Sequence, residues 1–246
     1  MSIIARFRIA ANESEKSKAV ARLIKASTGD FDFYLFAFLG ISMATLGLAL
    51  DSPEVIIGSM LIAPILYPVL SFALSLVLVD AQLIYRSLRT LGIAFLTSVG
   101  VATLLSFVLG MFMDFGLSQQ LLARGQPNLL FFLVACVAGL AATYAMVHAS
   151  LNEMLPGVAI SVALVPPLAA VGIGLASLDL AIAGGAFLLF LINIVGILFS
   201  SVIAFSLMDL HGTRKVADSA IRQEEKRLEQ EEEKIASLTN NNHIHS

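Results

Sequence analysis

From residue 31 to residue 208 the sequence is a succession of apolar runs, each about twenty residues or longer. The runs cover 32–50, 54–79, 89–113, 128–147, 156–177 and 180–207, and none carries Asp, Glu, Lys, Arg or His beyond its first position or two. About 20 apolar residues in a helix cross the roughly 30 Å hydrocarbon core of a bilayer. Unbroken apolar stretches of that length satisfy their backbone there only as helices. The pattern therefore predicts an all-α polytopic membrane protein of six transmembrane helices. Composition excludes a soluble domain: 58% of residues are hydrophobic and 13% charged, against roughly 25% charged in soluble proteins. The lipid bilayer is the expected surrounding, and nothing points to nucleic acid.

The charges crowd the two ends, which divides the chain into a cytoplasmic segment 1–30, a membrane domain 31–208 and a charged tail 209–246. All but one of the 15 Lys and Arg residues share one side of the predicted membrane: those of residues 6–25, Arg86, Arg89 and those of the tail. Arg124 is the exception. The positive-inside rule then puts both termini in the cytoplasm of a cell (inner) membrane. Residues 1–30 are too polar for a cleaved signal peptide, so the first span is expected to act as an uncleaved anchor. Within that segment Val20, Leu23 and Ile24 share one side of a helix, which reads either as an interfacial helix on anionic lipid or as a short soluble cap. The tail reads as a solvated single helix, because Glu224 and Glu231 interrupt the heptad of Ile221, Leu228 and Ile235. Residues 240–246 read as disordered. Phe31, Tyr34 and Tyr85 supply the interfacial aromatics in a chain without Trp. Cys136 is the only cysteine, which rules out a disulfide within one chain.

One segment occurs twice. Residues 53–64 align without gaps to residues 156–167, with Pro53/Pro156, Val55/Val158, Ile57/Ile160, Leu61/Leu164 and Pro64/Pro167 identical. Six of the seven prolines lie in or beside these two segments. The matched segments open the second and fifth spans, which enter from opposite faces, so the halves (about 31–113 and 128–207) form an inverted repeat. Pro64 stands eleven residues beyond Pro53, roughly 16 Å of helix, near mid-membrane. A proline there lacks its N–H and clashes with the carbonyl four residues back, so both spans should break. Paired broken spans in inverted halves mark the central site of many transporters. Kinks that only shape packing are the other reading.

Asp51-Ser52-Pro53, Val55 to Gly58, Met60 to Pro64, Pro68 and Asp80, with Asn152, Glu153, Pro156 to Ile160 and Ala163 to Pro167, resemble the two signatures of an uncharacterised prokaryotic membrane family, domain of unknown function 389. The resemblance covers about residues 30–205. It implies an integral membrane protein of a bacterium or archaeon and brings no substrate. Tyr67 departs from the family pattern, which implies a small residue beside Pro64.

The sequence carries no His-Glu-x-x-His, no Gly-Lys-Ser/Thr phosphate loop and no carboxylate pair at membrane depth, so an enzyme is not expected. No catalytic residue, metal site or cofactor is predicted. The substrate-binding candidates are Gly58, Ala63, Pro64, Pro68, Ser161, Pro166, Pro167 and Asn193. Asn193 reads equally as an interhelical hydrogen-bonding residue. Asp51, Glu54, Asp80, His148 and Glu153 are candidate peripheral ionisable groups, readable also as helix caps. The expected function is a channel-like or transporter pathway for a small solute or ion, with self-association plausible from Gly- and Ser-rich faces. The alternative is a membrane scaffold or sensor subunit that recruits a partner through its tail.

Overall fold

Among the described residues, four helices are long and apolar enough to cross a membrane: α2 (Phe31–Ala49), α5 (Ala81–Gly110), α7 (Leu129–Val147) and α9 (Leu180–Leu207). Two further helices, α3 (Pro53–Ile62) and α4 (Leu66–Leu78), meet at 52° and together have the length and apolarity of a broken span or a re-entrant loop. Around them lie α1 (Glu13–Ala26), α6 (Gln119–Arg124), α8 (Val165–Ala176) and α10 (Arg214–Ile244). This computed structural model describes residues 13–112, 118–148, 151 and 164–244, without the side chains of 211 and 236–244. Among the described residues there is no strand. The chain is a multi-pass membrane protein. The run 156–177 is represented only by α8, and its first half, with Pro156 and Ser161, lies outside the described residues.

The bend between α3 and α4 follows from Pro64. Ala63, the residue before it, is forced to extended geometry (φ −78°, ψ 121°). Its amide still donates to Ser59 O at 3.2 Å, but the proline cannot continue the ladder. Prolines then recur where a helix has no amide to lose. Pro68 lies in the first turn of α4, and Pro166 and Pro167 in the first turn of α8. Neither helix start has a side-chain cap. Helix starts normally leave amides that need partners, and these prolines remove several of them. Both starts can therefore sit in an apolar core.

Close helix pairs rest on glycine. A Cβ on Gly40 would stand 2.6 Å from Ala63 Cβ and 3.0 Å from Ala63 N, so α2 lies directly on the break. Gly47, two turns later, is pressed in the same way against Ile56. Gly196 of α9 meets Ala135 and Phe132 O of α7, and Ser201 Oγ donates to Gly139 O at 3.3 Å. Lipid offers no hydrophobic drive between helices, so such small-residue contacts carry the packing.

Three turns share one geometry. Asp51, Val79 and Leu178 adopt left-handed φ of 52°, 53° and 57°. The next residue's amide donates back five positions: Ser52 to Gly47 O, Asp80 to Ser75 O and Asp179 to Gly174 O. That same residue then caps the following helix, accepting from Val55, Leu83 and Ala181 with Ile182 respectively.

Four expectations are revised. The third span is not confined to the run 89–113: residues 81–88, outside that run, already belong to α5, whose 30 residues span about 45 Å and so outreach the hydrocarbon. Of the two readings of α1, the apolar side on lipid is not what the fold shows: Val20, Leu23 and Ile24 are at most 2% exposed and join the core with α4 and α7, as the side of a cap would. The tail is solvated only in part: Ala217 and Ile221 are fully buried where α10 packs on α1, whereas residues 229–235 are exposed. Helix α10 also continues to Ile244, into the stretch expected to be disordered.

Candidate functional site

The bundle has two distinct ends. On the tail end α1 and α10 meet the start of α2 and the start of α5. Arg227 Nη2 donates to Asp30 Oδ2 at 2.7 Å, and Arg86 Nη1 donates to Ile221 O at 3.0 Å. Gln82 Nε2 adds a bond to Glu225 Oε1 at 2.9 Å. Asp30 also caps α2 by accepting from Phe33 N, so one carboxylate both starts a span and holds the tail. Burial pulls the Arg227 guanidinium down, but the Asp30 hydrogen bond and the carboxylates of Glu224 and Glu231 outweigh it and hold it above its ordinary value. Arg227 Nε lies 3.1 Å from Glu224 Oε2, an ion pair off the hydrogen-bond line.

At the far end α6 packs against α2, α8 and α9. Asp51 Oδ1 accepts from Gln120 N at 3.0 Å, and Gly185 of α9 packs on the Gly125 carbonyl. Arg124, half-buried here, donates to Gln120 O and Oε1 at 2.7 and 2.8 Å, and burial lowers its pKa.

A cavity of about 780 Å³ opens beside the tail end. Its rim holds Arg22, Lys25, Asp30, Asp32 and Arg227, and Phe33, Phe36, Ile62, Pro64, Tyr67 and Met146 line the rest of it. The cavity thus joins the charged rim to the broken helix. At that break α3 ends, so the carbonyls of its last turn lose their intrahelical partners. Pro64 removes one donor and Pro68 another, which leaves the break richer in acceptors than in donors.

Of the residues singled out in the sequence, Pro64 lines this cavity. Ala63 is buried beside it in the break, and Pro68 is buried in the first turn of α4. Gly58 lies half-buried, with Met43 Cε only 2.8 Å from where a Cβ would stand. Pro166 and Pro167 are buried in α8, and Asn193 is 2% exposed within α9. Ser161 and Glu153 lie outside the described residues. The ionisable candidates have local work: Asp51 tethers α6, Glu54 accepts from Ser52 Oγ at 2.8 Å, and Asp80 caps α5 through Leu83 N at 2.9 Å. His148 ends α7, stacked on Tyr144 with centroids 4.1 Å apart. Among the described residues no three His, Cys, Asp or Glu side chains converge as a metal site would require.

The rim was missed by sequence reasoning. Its only linear signals are Arg22 and Lys25, three apart on α1, and the Asp30-Phe31-Asp32 start of the first span. Tyr67, the departure beside Pro64, is a wall residue.

The model of a family described as domain of unknown function (DUF389) matches residues 60–199, a stretch that runs from the end of α3 into α9. The chain belongs to DUF389. This DUF389 chain is 32% identical over 173 residues to the uncharacterized protein MJ0678 of Methanocaldococcus jannaschii, an alignment covering 70% of the chain and 52% of that protein. The chain thus spans about half the length of the relative it matches. No solved structure matches it. The matched DUF389 segment contains the break, α4, α5, α7 and α8, while Arg22, Lys25, Asp30 and Arg227 of the cavity rim lie outside it.

Proposed function

We propose that this DUF389 protein is a non-enzymatic membrane pathway for a small solute or ion, drawn open toward its tail end. The observation that carries the reading is the cavity whose lining includes both the charged tail-end groups and Pro64 at the helix break. Acceptor-rich helix ends at mid-membrane are the groups that transporters use for cations and for hydrogen-bond donors. A cation, or a solute bearing amine or hydroxyl donors, is the class that suits them.

The proposal includes six crossings in two inverted halves, with both termini cytoplasmic in the inner membrane. Its support is the recurrence of parts. Val79-Asp80 and Leu178-Asp179 make the same turn, each leads into a long helix, and each follows a helix whose first turn holds proline. Those two long helices run oppositely: α5 begins beside the tail at Arg86, and α9 begins beside α6 at Gly185. The packing is also reciprocal, since α4 touches α5 and α9 while α8 touches α9 and α5.

Flux from protein reconstituted in liposomes tests the reading, with Pro64→Ala and Pro167→Ala against a Pro127→Ala control. Both midplane variants should remain folded and lose most of the wild-type flux. Normal transport by both would remove the central site, and unfolding of both would make the prolines purely structural. The scaffold reading keeps one favourable observation: residues 229–235 of α10 are exposed and, with four Glu to one Lys, offer an acidic surface beyond the docked part. A sealed, silent liposome would favour it.

A further inference from the structure

Arg22 and Lys25 stand one helical turn apart on α1, both exposed at the cavity rim. Among the described residues neither makes an ion pair. The third rim cation, Arg227, is already held by Asp30 and Glu224. Asp32 is the rim carboxylate left without an ion pair among the described residues, so the unpaired charge of the rim is net positive. Behind these cations the wall turns apolar along Phe33, Phe36 and Ile62. Phe31 is 77% and Phe36 49% exposed, and both belong to the membrane-crossing α2. This side of the mouth therefore borders lipid.

We propose that the cavity mouth is a phospholipid site. The phosphate of a lipid in the tail-side leaflet rests on Arg22 and Lys25, and one acyl chain lies along Phe33, Phe36 and Ile62. The chemistry follows from the order of the groups: two unpaired cations at headgroup depth, then aromatic and aliphatic surface toward the membrane interior. A small anion would satisfy the rim and leave the apolar wall wet. An apolar ligand would leave the cations unanswered. Lipid is also the molecule already adjacent to the mouth. The inference shares the cavity with the transport reading but does not rest on it, because lipid binding requires no flux.

The chain has no Trp, so one indole reports one place. The full-length Tyr67→Trp protein, reconstituted in phosphatidylcholine vesicles, is titrated with phosphatidylglycerol carrying brominated acyl chains. Brominated phosphatidylglycerol should quench the indole more strongly than brominated phosphatidylcholine at equal mole fraction. Arg22→Gln with Lys25→Gln should weaken that preference about ten-fold or more, and Arg22→Lys with Lys25→Arg should keep it. Equal quenching by the two lipids, no quenching, or quenching indifferent to the two Gln substitutions would overturn the site. Protection against quenching by glycerol phosphate would put a soluble phosphate on the rim and overturn the lipid as well. Run beside the flux assay, quenching without transport removes only the pathway, and transport without quenching removes only the lipid.

Discussion

Arg227 and Asp30 lie 2.7 Å apart although 197 residues separate them in the chain. The contact joins the charged tail to the first turn of the first span, at the rim of the cavity that Pro64 also lines. Both side chains are only partly exposed, so the pair should couple by about 1 kcal/mol, with the coupling shrinking in high salt. Asp30→Asn keeps an oxygen for the Phe33 amide while losing the charge. A double-mutant cycle of Asp30→Asn and Arg227→Gln, read by thermal unfolding in detergent at low and high salt, measures it. Additive effects would show that the contact is incidental.

Removal of residues 214–246 should destabilise the protein, because it strips Ala217 and Ile221 from their buried places on α1. Ile221→Ala alone should cost about 2 kcal/mol or more, the usual penalty for emptying a filled site. Urea unfolding of the intact and truncated proteins decides this. An unchanged midpoint would restore the solvated helix expected from the sequence.

The glycines of two helices should respond in opposite ways. Gly40→Ala forces a methyl against the Ala63 backbone at the break and should cost about 1–3 kcal/mol. Gly92→Ala and Gly100→Ala, on the open face of α5, would meet nothing within 4 Å. They should be neutral or stabilise by up to about 1 kcal/mol through helix propensity. Unfolding midpoints of the three variants would sink the packing account if all moved alike.

Val79 is a β-branched residue at φ 53° and is 74% exposed, so its side chain is strained and contributes little packing. Val79→Gly should relieve that strain and stabilise by about 1 kcal/mol. Leu178→Gly, at the matching turn with φ 57°, should do the same. Destabilisation by both would mean the turns are not held in this conformation.

Sidedness is testable in whole cells. Single cysteines at Ser2, Ser118 and Ser237, in a Cys136→Ala background, should react with an impermeant thiol reagent only at Ser118. Labelling at either terminus would overturn the cytoplasmic placement.

The sequence by itself determined the apolar helices, the position of the break at Pro64 and the capping reading of Asp80. Each depends on a local match: run length against bilayer thickness, a missing amide at Pro64, a side-chain oxygen beside the first free amides of a helix. Left-handed geometry at Val79 and Leu178 was not legible, because those residue types normally avoid it and only the packing on either side of the turn imposes it. The tail was misjudged for a similar reason. In a heptad read alone Glu224 is a flaw, yet in the fold it is 9% exposed and faces Arg227, which faces Asp30. The rim of the cavity likewise joins α1, the start of α2 and α10, segments far apart in the chain. Which distant charges meet is set by how the helices pack, and periodicity along one helix holds no record of that.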